Sequence, residues 1–288
     1  MFTINKRNIN TLFHRADNIE RNVSCKGKIL VNTFFEPSTR TQYSFESAMY
    51  SLGGNVINFN VTTSSSKKGE SFKDTIKTLS SYGDVMVLRH PEKNKINEAR
   101  SYVDIPIINA GDGDNKHPTQ ALIDLYTIYS YFEKEKDLTK INHILFVGDC
   151  KHSRTINSLI QVLKLYPHIC IYFLPYSNCE PTKELLENID NMGAIFNNKN
   201  EVPFNKFDVI YCTRLQKERT NNELSSDIVI DKSVLSQLKK KSIVMHPLPR
   251  NNEISVDIDE DPRAVYFEQV KYGVKIRMAL LDVIINLK

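Results

Sequence analysis

Long apolar runs are missing from this sequence. No stretch approaches the ~20 consecutive apolar residues that a membrane-spanning helix needs, and Met1-Phe2-Thr3-Ile4-Asn5-Lys6 has the pattern of neither a signal nor a transit peptide. Paired cysteines are missing too. The five that occur, Cys25, Cys150, Cys170, Cys179 and Cys212, are odd in number and include no C-x-x-C pair. That argues against a disulfide frame or a zinc site and for a reducing, cytoplasmic location. An excess of one charge is also lacking. The net charge is only +4, and Lys239-Lys240-Lys241 reads as the solvated end of a helix, so neither nucleic acid nor membrane is an expected partner. The loop Gly148-Asp149-Cys150-Lys151-His152-Ser153-Arg154-Thr155 has no G-x-G-x-x-G spacing, and no Walker loop, metal-ligand cluster or Ser/His/Asp set occurs. Neither a cofactor nor a metal is therefore expected.

The chain has 288 residues, 41% hydrophobic and 25% charged, the profile of a globular protein with length for two domains. Short apolar strands alternate with helical patterns, which predicts two α/β domains, each with a mostly parallel sheet flanked by helices. Strands are expected at 29–35, 56–59, 85–88 and 105–109, then at 144–147, 169–174, 209–211 and 243–245. Helices are expected at 40–52, 71–82 and 120–132, then at 155–166, 182–191, 232–239 and 274–287. The polar run Glu133-Lys134-Glu135-Lys136-Asp137 marks the expected boundary. It gives a first domain of 1–133, with 272–288 packing back on it, and a second domain of 134–271. Ligands of open α/β sheets bind beyond the carboxyl ends of the strands, so a cleft between the two domains is the expected site.

The segment Phe34-Phe35-Glu36-Pro37-Ser38-Thr39-Arg40-Thr41 runs from a strand into a helix. Phe45, Ala48, Met49 and Leu52 give that helix its apolar face. A helix start offers free N–H groups and a positive dipole end, and three hydroxyls with one guanidinium would complete a phosphate cradle. An ordinary reading is also open, since Thr39 with Gln42 fits a capping box. Capping alone does not call for Arg40.

Other polar motifs also follow predicted strands. Ser64 to Glu70 reads either as a surface loop or as an arm delivering Lys68 to an anion, with Gly69 as its hinge. Arg89 ends a buried strand. His117 and Gln120 lie three apart across a helix start, with Pro118 at the first helical position. Arg154 opens another helix, and Arg214 and Gln216 stand directly beyond a strand. In His246-Pro247-Leu248-Pro249-Arg250 the two prolines remove N–H donors and leave carbonyl acceptors, and Leu248–Pro249 is a candidate cis bond. So many cations, set against few carboxylates besides Glu36, call for highly anionic ligands.

The ordered set F-x-E-x-S-T-R-T, S-x-x-K-K-G-E, R-H-P, G-D-G-x-x-x-H-P-T-Q, R-T before a helix, T-R-x-Q-x-E-R and H-P-L-P-R resembles the catalytic chain of the aspartate carbamoyltransferases, from about Lys28 to the end. The resemblance implies carbamoyl transfer from carbamoyl phosphate to the amine of L-aspartate, a step of pyrimidine synthesis, in a homotrimer whose sites are shared between subunits. It implies that Ser38, Thr39, Arg40 and Thr41 hold the phosphate, with Ser64 and Lys68 closing over it from a neighbouring subunit. Arg40, Thr41, Arg89 and His117 would polarise the carbonyl oxygen. Gln120 and the Pro247-Leu248-Pro249 loop would hold the carbamoyl –NH2. Lys68, Arg89, Arg154, Arg214 and Gln216 would bind the aspartate carboxylates, and Glu36 would bridge toward Arg154 and Arg219 on domain closure. Separate regulatory chains are a further possible partner. The segment before Lys28 looks short for the family, so a truncated first helix is expected.

Two rivals stand beside this reading. The ornithine carbamoyltransferases share the S-T-R-T cradle but typically show Cys-Leu-Pro where this chain has His246-Pro247-Leu248-Pro249. A non-catalytic sensor of phosphate ligands would not need Lys68, Arg89 and His117 together.

Overall fold

The computed structural model describes residues 3–61, 69–113, 117–132, 138–216 and 228–286. The chain divides into two compact units, one of residues 1–122 with 272–288 and one of residues 123–271.

In the first unit α1 (Lys6–Asn18) is followed by β1 (Ile29–Phe34), α2 (Thr39–Ser51), β2 (Asn55–Asn60), α3 (Phe72–Ser80), β3 (Val85–His90), α4 (Lys95–Arg100) and β4 (Ile107–Asp112). Helix α5 (Pro118–Tyr131) passes from this unit into the next. The four strands form a parallel sheet in the order β2-β1-β3-β4. Strand β3 is buried along its whole length, the pattern of a parallel strand covered on both faces. Ile76, Met86, Leu88, Ile96, Ala99 and Ile107 build the core under α3 and α4. Phe45, Ala48, Met49 and Leu52, the predicted apolar face of α2, are fully buried.

The second unit continues with β5 (His143–Gly148), α6 (Arg154–Leu163), β6 (Cys170–Pro175), α7 (Lys183–Leu186), β7 (Met192–Ile195), β8 (Val209–Thr213), α8 (Lys232–Gln237) and β9 (Ile243–Met245). These strands are parallel as well, in the order β7-β6-β5-β8-β9. The long α9 (Tyr266–Asn286) then returns the chain to the first unit. It runs through Gly273, where the sequence reading begins it one residue later; interior packing outweighs the roughly 1 kcal/mol that a helical glycine costs.

Three elements differ from expectation. The helix expected at 182–191 is only Lys183–Leu186. Thr182 caps it by accepting the Leu185 N–H, but the Asn188 and Ile189 N–H groups then bond three residues back and tighten the chain into turns. The short α4 and the edge strand β7 fall below the window in which periodicity is visible. Helix α1 has 13 residues, with Asn5 as N-cap accepting the Asn8 N–H at 2.8 Å. It buries Ile9, Leu12, Phe13 and Ala16, and Arg15 bonds Asp282 of α9 at 2.8 Å. Arg277 of α9 stacks over Phe45 at 4.9 Å and donates to Ser44 Oγ at 2.7 Å, tying α9 to α2. Among the described residues, no helix is long and apolar enough to cross a membrane.

Candidate active site

Both sheets have a point where the strand order reverses, and in open α/β sheets ligands bind at such points. In the first sheet it lies between β1 and β3. The chain leaving β1 carries Glu36 and Ser38 to Thr41, and the end of β3 carries Arg89. The two ends are joined by the Phe35 N–H donating to the Arg89 carbonyl at 2.9 Å, and Arg89 Nε donates to Glu36 Oε1 at 2.6 Å. Arg89 is buried, so this charge-assisted bond holds its guanidinium in a defined orientation.

Helix α2 begins at Thr39 with Ser38 as N-cap, and Ser38 makes no side-chain cap bond. The capping box read from Thr39 and Gln42 does not form. Gln42 instead donates its side-chain amide to Asn58 Oδ1 at 3.2 Å on β2. Thr41 is buried, while Thr39 and Arg40 are exposed. An N-terminus that spends no side chain on its own N–H groups keeps them available to an anion.

Helix α5 begins at Pro118 as predicted. His117, just before it, is buried and lies 3.5 Å from Thr119 Oγ1 through Nδ1. Gln120, half-buried, donates its backbone N–H to the His117 carbonyl at 3.0 Å. Ser64, Lys68 and Arg219 lie outside the described residues.

In the second sheet the order reverses between β5 and β8. Gly148 ends β5 at φ 109°, and a Cβ there would lie 2.2 Å from the Thr213 carbonyl oxygen on β8. The two strand ends can approach this closely only with glycine at 148. Asp149 follows, with no exposed surface. Its Oδ1 accepts the His152 N–H at 2.9 Å, and its Oδ2 accepts the Gln216 N–H at 3.0 Å. One carboxylate thus ties the loop before α6 to the loop after β8. Arg154 is the first residue of α6, behind the N-cap Ser153. Arg214 donates to the Leu215 carbonyl at 3.0 Å, and the Gln216 side-chain amide donates to the Arg214 carbonyl at 3.2 Å. Arg154, Arg214 and Gln216 therefore stand beyond one pair of strands, all half-buried.

Beyond β9, the Leu248–Pro249 peptide is cis and Leu248 has φ 53°, a left-handed conformation uncommon for a branched residue and typical of functional loops. His246 is buried, and its Nδ1 accepts the Leu248 N–H at 2.8 Å. Its other ring nitrogen must then carry the proton, and it donates to Glu253 Oε1 at 2.9 Å. Burial is the largest influence on His246 and holds its imidazole below the usual range, so the neutral tautomer is the stable one. The backbone N–H of His246 donates to Gln269 Oε1 at 3.1 Å. His90 repeats the device at the end of β3: its Nδ1 accepts the Glu92 N–H at 3.0 Å across Pro91.

The sequence reading names the groups at the strand ends and misses the groups behind them. Asp149 has a local signal, since it directly follows a strand. Asp124, Glu253 and Gln269 have none. Asp124 sits in the apolar run of α5, and its bonds go to Tyr211 and Gln269, 87 and 145 residues away.

Residues 1–130 match the family model described as the aspartate/ornithine carbamoyltransferase carbamoyl-P binding domain, and residues 140–284 match that of the Asp/Orn binding domain. The chain belongs to the aspartate/ornithine carbamoyltransferase family. Among its curated relatives is the aspartate carbamoyltransferase catalytic subunit of Alkaliphilus metalliredigens, 42% identical over 266 residues, which are 89% of this chain and 84% of that one. Among solved structures, the catalytic subunit of M. jannaschii aspartate transcarbamoylase is 38% identical with a TM-score of 0.89, covering 99% of this chain and 96% of that one. The Trypanosoma cruzi aspartate transcarbamoylase, solved in complex with carbamoyl phosphate and aspartate, is 39% identical with a TM-score of 0.87, covering 96% of this chain and 93% of that one.

Proposed function

We infer that the chain transfers the carbamoyl group of carbamoyl phosphate to the amine of L-aspartate, giving N-carbamoyl-L-aspartate and phosphate, in de novo pyrimidine biosynthesis. The observation that carries this reading is the uncapped start of α2, with Ser38, Thr39, Arg40 and Thr41 beside an Arg89 held by Glu36. It supplies anion-binding groups at the strand-order reversal of the first sheet.

The neutral amine of aspartate attacks the carbamoyl carbon. The C–N bond forms as the carbonyl becomes an oxyanion, and Arg40, Thr41, Arg89 and His117 stabilise that charge. The oxyanion then collapses, the C–O bond to phosphate breaks, and the departing phosphate takes the amine proton. Neither a covalent enzyme intermediate nor a dedicated general base is needed. Ser38, Thr39, Arg40 and Thr41 hold the phosphate, Gln120 and the 247–249 loop hold the carbamoyl –NH2, and Arg154, Arg214 and Gln216 hold the aspartate carboxylates with Lys68 and Arg89. Bidentate arginine suits each carboxylate, and the gain comes chiefly from positioning two anions.

The same reading extends to a cytoplasmic homotrimer in which Ser64 and Lys68 act at a neighbour's site and Glu36 and Arg219 serve domain closure, with separate regulatory chains as possible partners. Its domains are 1–133 with 272–288 for carbamoyl phosphate and 134–271 for aspartate. An assay with carbamoyl phosphate and either aspartate or ornithine tests the activity. Product with aspartate alone is expected. Product with ornithine alone would make the chain an ornithine carbamoyltransferase, and none with either would make it a sensor.

A further inference from the structure

Behind the acceptor-side loops, three side chains meet that the proposed reaction does not use. Asp149 follows β5, His152 lies one residue before the N-cap of α6, and Cys179 follows β6. The candidate ligand atoms of the three lie within 4.8 Å of one another. His152 Nδ1 is 3.0 Å from Asp149 Oδ1 and 3.3 Å from Oδ2. Two ligands at bonds of about 2.0–2.1 Å and a tetrahedral angle stand roughly 3.3 Å apart, so the imidazole nitrogen and the carboxylate need little movement to share an ion, and the sulfur, within 4.8 Å of both, closes toward them. The backbone fixes the cluster: the Cys150 N–H donates to the Cys179 carbonyl at 3.1 Å, and the Cys179 N–H to the Tyr176 carbonyl at 2.9 Å. Asp149 and Cys179 are fully buried, while the His152 side chain keeps 24% of its surface and gives an ion its way in.

We propose that Asp149, His152 and Cys179 bind a thiophilic divalent cation of the zinc class, with water as the fourth ligand. Thiolate, imidazole and carboxylate together favour such an ion over magnesium or calcium, which take oxygen ligands. Burial, then Asp149, pushes the Cys179 thiol up to about 12, so the thiol enters the reaction protonated. On binding, the metal–sulfur bond forms and that proton leaves to solvent. The imidazole proton moves from Nδ1 to Nε2 to free the nitrogen facing Asp149. Asp149 also accepts the Gln216 N–H. An ion that draws on this carboxylate therefore weakens its hold on the loop carrying Arg214 and Gln216, and raises the KM for aspartate. This last step rests on the proposed carbamoyl transfer; the binding itself does not.

The test uses the full chain stripped with a chelator and titrated with cobalt(II) chloride. One cobalt per chain with a thiolate-to-metal charge-transfer band is expected. Cys179→Ser should abolish the band, and His152→Asn should weaken binding at least tenfold. Wild-type protein without the band, or Cys179→Ser keeping it, overturns the site; His152→Asn, at a partly exposed position, keeps the test valid if Cys179→Ser misfolds. Zinc chloride should then raise the aspartate KM of wild type several-fold and leave that of Cys179→Ser unchanged. Cobalt binding with no effect of zinc on KM overturns the coupling. A chain that binds cobalt but makes no product under any condition refutes the carbamoyl-transfer reading and leaves the metal site standing.

Discussion

Gln269 donates its side-chain amide to Asp124 Oδ1 at 2.6 Å, while its carbonyl oxygen accepts the backbone N–H of His246. One glutamine on α9 thus links α5 to the loop beyond β9. All three residues are buried, and Tyr211 completes Asp124 by donating to Oδ2 at 2.8 Å. Replacing Gln269 by Met fills the space but takes one hydrogen bond from the buried Asp124 carboxylate and leaves the buried His246 N–H without its acceptor, each loss costing about 1–3 kcal/mol. Gln269→Met is expected to lower the denaturant midpoint accordingly. Because it loosens His246, it should also raise the KM for carbamoyl phosphate more than that for aspartate. An unchanged ratio of the two KM values would reduce Gln269 to a purely structural residue.

The two arginine sets should separate by substrate. Arg214→Ala is expected to raise the aspartate KM about ten- to a hundredfold, the scale of losing a charge-assisted bond pair, with carbamoyl phosphate binding nearly intact. Arg40→Ala is expected to lower kcat by roughly 10²–10³, the usual cost of removing an oxyanion donor. Steady-state kinetics varying each substrate in turn measures both, and equal losses for the two substrates of Arg214→Ala would count against its assignment.

Sharing of sites between subunits is tested by mixing. Arg40→Ala and Lys68→Ala chains should each be nearly inactive. Reassociated mixtures should regain activity, because some sites then combine an intact Arg40 with an intact Lys68. If hybrid trimers form and stay inactive, Lys68 does not act across an interface.

Stability should decline in acid. Burial keeps folded His246 from protonating at its ordinary 6.5, whereas the unfolded chain takes up that proton. Below this pH the unfolded chain therefore binds more protons, and unfolding becomes easier as pH falls. For Glu253 burial alone would raise the carboxyl, but the bonds from His246 and the Asn251 N–H outweigh it and leave the group below 4.5. Its contribution is complete above that value and is lost as pH falls through the lower, folded one. Both groups act in the same direction. Urea midpoints should be level above pH ~7 and fall steadily from ~6.5 downward, and the fall should be shallower in His246→Asn. A profile identical in the two proteins would show that His246 is not the group responsible.

Much of this architecture is legible in the sequence because it is local. Phe45, Ala48, Met49 and Leu52 announce α2 by spacing alone, and Ser38 to Thr41, Arg89 and Arg214 announce themselves by following apolar strands. The rest depends on distant partners. Nothing near Asp124 predicts Gln269, and the reach of Glu253 to His246 depends on how the chain turns after a left-handed Leu248. Capping offers the opposite lesson. Thr39 and Gln42 have the right identities for a capping box, yet Gln42 prefers Asn58 on the neighbouring strand, a competitor no local pattern contains.

In the proposed reaction the phosphate cradle of Ser38 to Thr41 lies beyond one parallel sheet, and Arg154, Arg214 and Gln216, which take up aspartate, lie beyond another, each sheet with its own core. That separation bears on how such a protein can change over time. The leaving group and the oxyanion belong to the donor and are the same whatever amine attacks. On that proposal, substitutions beyond β5 and β8 sample new acceptors while the phosphate cradle, encoded in other strands, stays under constant constraint. Gly148 marks the limit of that freedom: the loops on either side of it can vary, but the point where β5 and β8 part cannot carry a side chain.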